Sequence, residues 1–104
     1  MRDDVVDKFL AKTKNLKQWL SAIYLFGSRA RGSEKPYSDY DLLLVMPKRD
    51  EAIVDKMYDA ALDILLETGK VISLKIFKQD DFKRLAAIPT PFMSRILKEG
   101  IKIG

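Results

Sequence analysis

At 104 residues, with 47% apolar and 33% charged side chains, the chain has the composition of a soluble globular protein and the length of one domain, expected over residues 1–104. It contains no cysteine and no histidine, which excludes a disulfide framework, a thiolate zinc site, and any nucleophilic triad or general base built on imidazole. Catalysis would have to rest on carboxylates, lysines, hydroxyls and a hard, oxygen-preferring cation such as Mg2+ or Mn2+.

The formal charge of +4 is distributed in short clusters: Lys12, Lys14 and Lys17, then Lys48 and Arg49, then Lys83 and Arg84. A basic balance suits nucleic acid or an acidic partner. Acids are interleaved throughout, however, and no segment has the form of a recognition helix, so nucleic acid is not the expected partner. No apolar run approaches the roughly 18 residues of a membrane span. The opening residues mix charge with hydrophobe, unlike a signal peptide, and a cytoplasmic protein is expected.

In chain order, Val5, Val6, Phe9, Leu10, Leu16, Trp19 and Leu20 recur near helical spacing behind Asp3 and Asp4, which predicts an amphipathic opening helix. Ala22 to Phe26 is a short apolar run stopped by Gly27, the pattern of a buried strand. Gly27 to Ser38 lacks apolar periodicity. A second strand is predicted over Tyr40 to Met46, interrupted by Asp41 and ended by Pro47. Asp50 is a candidate N-cap for a helix with Ile53, Met57, Ala60, Ala61, Ile64 and Leu65 on one stripe, closed by Gly69. Val71 to Phe77 alternates as a third strand, with Ile72, Leu74 and Ile76 on one face and Ser73 and Lys75 on the other. Asp80 or Asp81 is a candidate cap for a short helix, and Thr90-Pro91 and Gly100 bracket a last one. Ile101 to Ile103 can end the chain as a strand. The expected class is therefore α/β or α+β, one small mixed sheet covered by helices.

The chemistry concentrates between Leu25 and Leu42. A strand running into Gly27-Ser28 can aim backbone N–H groups at an anion, with Ser28 adding a hydroxyl and Arg29 or Arg31 a cationic fork. Asp39 and Asp41 share parity at a strand start, so their side chains leave on one face about 6.6 Å apart along the chain. Two such carboxylates can hold a divalent cation that bridges phosphate oxygens. Each half has a plainer reading, loop glycines with solvated arginines in one case and a turn acid plus an Asp41–Arg31 pair in the other.

Joined, Gly-Ser-x-Ala-Arg-Gly from Gly27 and Ser-Asp-x-Asp-Leu from Ser38 resemble the signature of the DNA polymerase β-like nucleotidyltransferase superfamily, in its minimal, small-domain branch. The resemblance implies that Gly27 and Ser28 hold the phosphates of ATP or another nucleoside triphosphate, with Arg31 close by. It implies that Asp39 and Asp41 are the catalytic carboxylates and bind Mg2+ or Mn2+, and that a nucleoside monophosphate, AMP first among them, passes to a hydroxyl with release of pyrophosphate. Small prokaryotic members further imply an antitoxin whose acceptor is a HEPN-type partner protein. Exposed apolar surface leaves a homodimer open.

The pattern departs in one place. Active members carry a third carboxylate on the strand after the next helix, whereas Val71 to Phe77 contains no acid and offers Ser73 and Lys75. Glu67 and Asp80-Asp81 flank that strand. The departure favours an alternative in which the fold is catalytically degenerate and acts by binding a partner protein.

Overall fold

The computed structural model describes residues 4–26 and 39–104. Helix α1 (Asp4–Lys12) and a 3-10 segment (Lys14–Trp19) lead into strand β1 (Ala22–Phe26). Strand β2 (Tyr40–Met46), helix α2 (Glu51–Thr68) and strand β3 (Ile72–Lys78) follow. Helices α3 (Gln79–Ala86) and α4 (Pro91–Glu99) precede strand β4 (Ile101–Lys102). The four strands form one sheet in the order β3-β2-β1-β4. Strand β1 is antiparallel to β2 and β4, and β2 is parallel to β3 through the α2 crossover, so the expected small mixed sheet covered by helices is what forms.

Strict alternation along β2 assigns its residues to two cores. Leu42, Leu44 and Met46 pack with Phe9, Met57 and Ile64 against α1 and α2. Leu43 and Val45 pack with Met93 and Ile96 of α4 and with Phe82 and Leu85 of α3. A strand buried on both faces reads as a continuous hydrophobic run, and in β2 only Asp41 breaks it. Every residue of β2 from Leu42 to Leu44 is fully buried, which holds the backbone of Asp41 rigidly.

Helix α2 is fixed at both ends by its own sequence. The Asp50 carboxylate accepts from the N–H groups of Ala52 at 2.9 Å and Ile53 at 3.4 Å, an N-cap in the usual sense. Gly69 then takes φ 73° and donates to the Leu65 carbonyl, the left-handed C′ position that glycine fills without strain. Similarly, Thr90 caps α4 by accepting from the Met93 N–H, with Pro91 first in the helix.

Three expectations are corrected. The opening amphipathic segment is not one helix: the Thr13 hydroxyl donates to the Phe9 carbonyl at 2.8 Å, Leu16 N–H reaches only back to Thr13, and the chain continues as 3-10. A threonine bonding its own backbone in this way competes with helix propagation, and Trp19 beyond it is exposed. Leu65, placed on the buried stripe of α2, is 39% exposed because it falls at the stripe's edge on a helical wheel. Neither Asp80 nor Asp81 caps α3. The helix begins at Gln79, Lys78 occupies the cap position without a side-chain bond, and both acids lie in the first turn, where the helix dipole favours them. Among the described residues no helix is long and apolar enough to cross a membrane.

Candidate functional site

The site is built from one row of the sheet. Asp41 pairs with Phe26 on its β1 side and with Ser73 on its β3 side. Lys75 lies one pleat further along β3, beside Leu43, and alternation turns it to the same face as Ser73 and Asp41. Asp39 stands just before β2 and is exposed, whereas Asp41 is half-buried.

Burial pushes the Asp41 carboxyl above its ordinary value, the Lys75 charge opposes that rise, and the negative charge of Asp39 adds to it. A carboxylate lifted by desolvation and by a like-charged neighbour is an electrostatically unfavourable arrangement as it stands. A cation placed between Asp39 and Asp41 relieves it, and such strain is characteristic of sites made for ligands. The expected shared face of the two acids is consistent with this coupling.

The Lys75 Nζ is 5.8 Å from the centroid of the Phe26 ring, within cation–π range. Since β2 lies between β3 and β1, this contact has the Lys75 and Phe26 side chains leaning toward each other over the middle strand. Phe26 is itself held edge-on to Phe92 of α4, with centroids 6.2 Å apart and an interplanar angle of 89°. Phe26 did not stand out from the sequence as a site residue. The signal available was its position as the last strand residue before Gly27.

Two of the acids that flank β3 in the sequence, Glu67 and Asp81, are engaged elsewhere. Glu67 accepts from Lys12 at 2.8 Å and lies 3.8 Å from Lys8, on the α1–α2 side, and both lysines hold its carboxyl below the usual range. Asp81 pairs with Arg84 in its own helix. Strand β3 contains no Asp or Glu, and no group of three or more His, Cys, Asp or Glu able to hold a metal occurs among the described residues. Asp39 and Asp41 fit a hard divalent ion in the manner of Mg2+, which takes one or two protein carboxylates and completes its shell with phosphate oxygens and water. Gly27, Ser28 and Arg31 lie outside the described residues. Phe26, bonded to Gly27, is the residue that pairs with Asp41. A largely apolar cavity of about 130 Å3, bordered by Leu10, Leu20, Ile23 and Ile103 with Lys14 and Lys17, opens on the other face of the sheet.

The model of the family described as "Polymerase beta, Nucleotidyltransferase" matches residues 7–104. MJ1305 of Methanocaldococcus jannaschii, named as an inferred protein adenylyltransferase, is 38% identical over 68 residues, or 64% of this chain and 46% of that protein. The chain thus spans under half the length of this curated relative. A crystal structure of a toxin-antitoxin with AMP-PNP superposes with a TM-score of 0.57 at 17% identity, over 98% of this chain and 72% of the other. A mutant of the toxin-antitoxin MntA-HpeT gives 0.56 at 14% identity over the same shares. At such identities the likeness to both structures is one of fold.

Proposed function

The chain belongs to the polymerase beta nucleotidyltransferase family, and from that premise we propose that it transfers AMP from ATP, or another nucleoside monophosphate from its triphosphate, to a hydroxyl on a partner macromolecule. The single observation that carries the reading is Asp41, a half-buried acid whose carboxyl is pushed up at the start of an otherwise apolar central strand, with Asp39 coupled to it. A buried charge without a ligand costs stability and is retained where it has a chemical task.

In this reading Gly27 and Ser28 offer donors to the triphosphate and Arg31 adds charge, while Asp39 and Asp41 hold Mg2+ or Mn2+. The metal, when bound, supplies Lewis-acid neutralisation of phosphate charge. The chain's own residues bind and orient the triphosphate so that an acceptor hydroxyl approaches in line with the departing pyrophosphate. The AMP-PNP in the first structural neighbour and the protein-adenylylating name of the curated relative support ATP and a protein acceptor. The toxin-antitoxin neighbours support a partner toxin as that acceptor, with the chain as antitoxin; that the toxin is of HEPN type is what the sequence resemblance adds.

Calorimetric titration of ATP with Mg2+, run beside an Asp39→Asn/Asp41→Asn double variant, tests the site. Metal-dependent binding that the variant loses is expected, and absence of binding by the unmodified protein overturns the reading. The absence of Asp and Glu from β3 favours a second reading, a degenerate member that neutralises its partner by binding alone. Retention of neutralisation by Asp41→Asn would support that alternative, and its loss supports the enzyme.

A further inference from the structure

Two divalent ions placed together on a triphosphate need several carboxylates to offset their charge, and the row around Asp41 is not composed that way. Its β3 member is Ser73, a neutral hydroxyl, and the next side chain on the same face is the ammonium of Lys75. A fixed cation beside a divalent ion disfavours a second one by like-charge repulsion. The same cation attracts phosphate oxygens, to which it can donate up to three hydrogen bonds.

The position of that cation is defined by contacts. Lys75 Nζ lies 5.8 Å from the Phe26 ring centroid, and Phe26 and Asp41 are register partners. Two strand spacings, about 10 Å, separate β3 from β1, so the lysine and the ring approach each other over β2. Phe26 is in turn held by Phe92, so the ammonium rests on a braced aromatic face. Its charge acts on Asp41, where it partly offsets the effect of burial.

We propose that the Lys75 ammonium is the second cation of the site, so that the chain takes its nucleoside triphosphate with one divalent ion on Asp39 and Asp41 and with Lys75 bound directly to the phosphates. This rests on the nucleotide reading above and sharpens it. Lysine as a compact point charge suits phosphate, and a charge held on an aromatic ring loses less freedom on binding than one moving in solvent.

The test counts metal and measures nucleotide separately. Mn2+ bound to the full chain with a saturating non-hydrolysable ATP analogue is counted by electron paramagnetic resonance, and ATP affinity is measured in EDTA by calorimetry. One Mn2+ per chain is expected in the unmodified protein. Lys75→Met is expected to weaken metal-free ATP binding by about tenfold or more, the scale of a lost charge-assisted bond, while Lys75→Arg retains most of it. Lys75→Glu is expected to admit a second Mn2+. Circular dichroism melts confirm that each variant folds.

Two tightly bound Mn2+ in the unmodified complex, or metal-free ATP binding indifferent to Lys75→Met, overturns the proposal and leaves nucleotide binding intact. If Lys75 merely counters the charge of Asp41, Lys75→Met alters the melt and not the ATP affinity, which also overturns it. Failure of the unmodified protein to bind ATP even with Mn2+ instead removes the nucleotide reading on which the proposal rests.

Discussion

Ser73 is the residue that the parallel β2–β3 ladder sets beside Asp41, and the two side chains leave the sheet on the same face. Cross-strand partners of this kind have Cβ atoms about 5 Å apart, close enough for two acids to share one cation. Ser73→Asp is therefore expected to strengthen Mn2+ binding by about tenfold, since affinity for hard cations follows the charge count of the ligand set. Calorimetric titration of Mn2+ in the presence of a non-hydrolysable ATP analogue checks this. Unchanged or weaker Mn2+ binding in a folded variant would place the metal away from the Asp41 row.

A second expectation concerns pH. The folded Asp41 carboxyl is raised above its ordinary value of 3.8, chiefly by burial, so the folded state favours the protonated form. The stability it contributes is complete below the unfolded value and is lost as pH rises through the folded one. At neutral pH the ionised group is thus a liability to the fold. Asp41→Asn is expected to melt higher than the unmodified protein at pH 7, with the difference shrinking toward pH 4, and at the same time to lose metal-dependent ATP binding. Glu67, whose carboxyl is lowered by Lys12 and Lys8, acts in the opposite sense and cancels in the comparison because both proteins carry it. A lower melting temperature for Asp41→Asn at pH 7 would contradict the assignment.

Much of this could be read before any coordinates. Strands β1 and β2 announce themselves as apolar runs ended by Gly27 and Pro47, and α2 is bracketed by its own caps, because those signals are local. The expectation that Asp39 and Asp41 share a face rests on parity alone, and β2 itself starts at Tyr40, after Asp39. What escaped were effects of tertiary partners: the Thr13 hydroxyl turning on Phe9, and the Phe26–Lys75 contact, which exists only because the strand order is β3-β2-β1. No local pattern specifies a strand order, so Phe26 carried no mark of the site beyond its place before Gly27.

The two helix-ending glycines separate conformational strain from steric contact. Gly69 has φ 73°, yet a Cβ there would meet nothing within 4 Å. Gly69→Ala is expected to cost about 1 kcal/mol, the usual penalty for a left-handed alanine. Gly100 has an ordinary φ of −66°, but a Cβ would lie 2.5 Å from the Ile96 carbonyl oxygen. Gly100→Ala must therefore displace backbone where α4 passes into β4, at an expected cost of about 1–3 kcal/mol. Urea unfolding of both variants checks the order, and the account fails if Gly69→Ala is the more damaging.

Phe26 and Phe92 provide the last expectation, because they share one ring contact and differ in the other. Replacing either by Leu removes the edge-to-face pair at 6.2 Å and is expected to lower stability by about 1 kcal/mol. Only Phe26 also carries the Lys75 ammonium. Phe26→Leu should therefore weaken metal-free ATP binding by a further factor of about three to five, the worth of an exposed cation–π contact, whereas Phe92→Leu should leave that affinity near its original value. Urea unfolding reads the first effect and calorimetry in EDTA reads the second. Equal losses of ATP affinity in both variants would mean that the aromatic pair acts through general packing. Loss in Phe26→Leu alone would tie the phosphate-binding cation to the ring on which it rests.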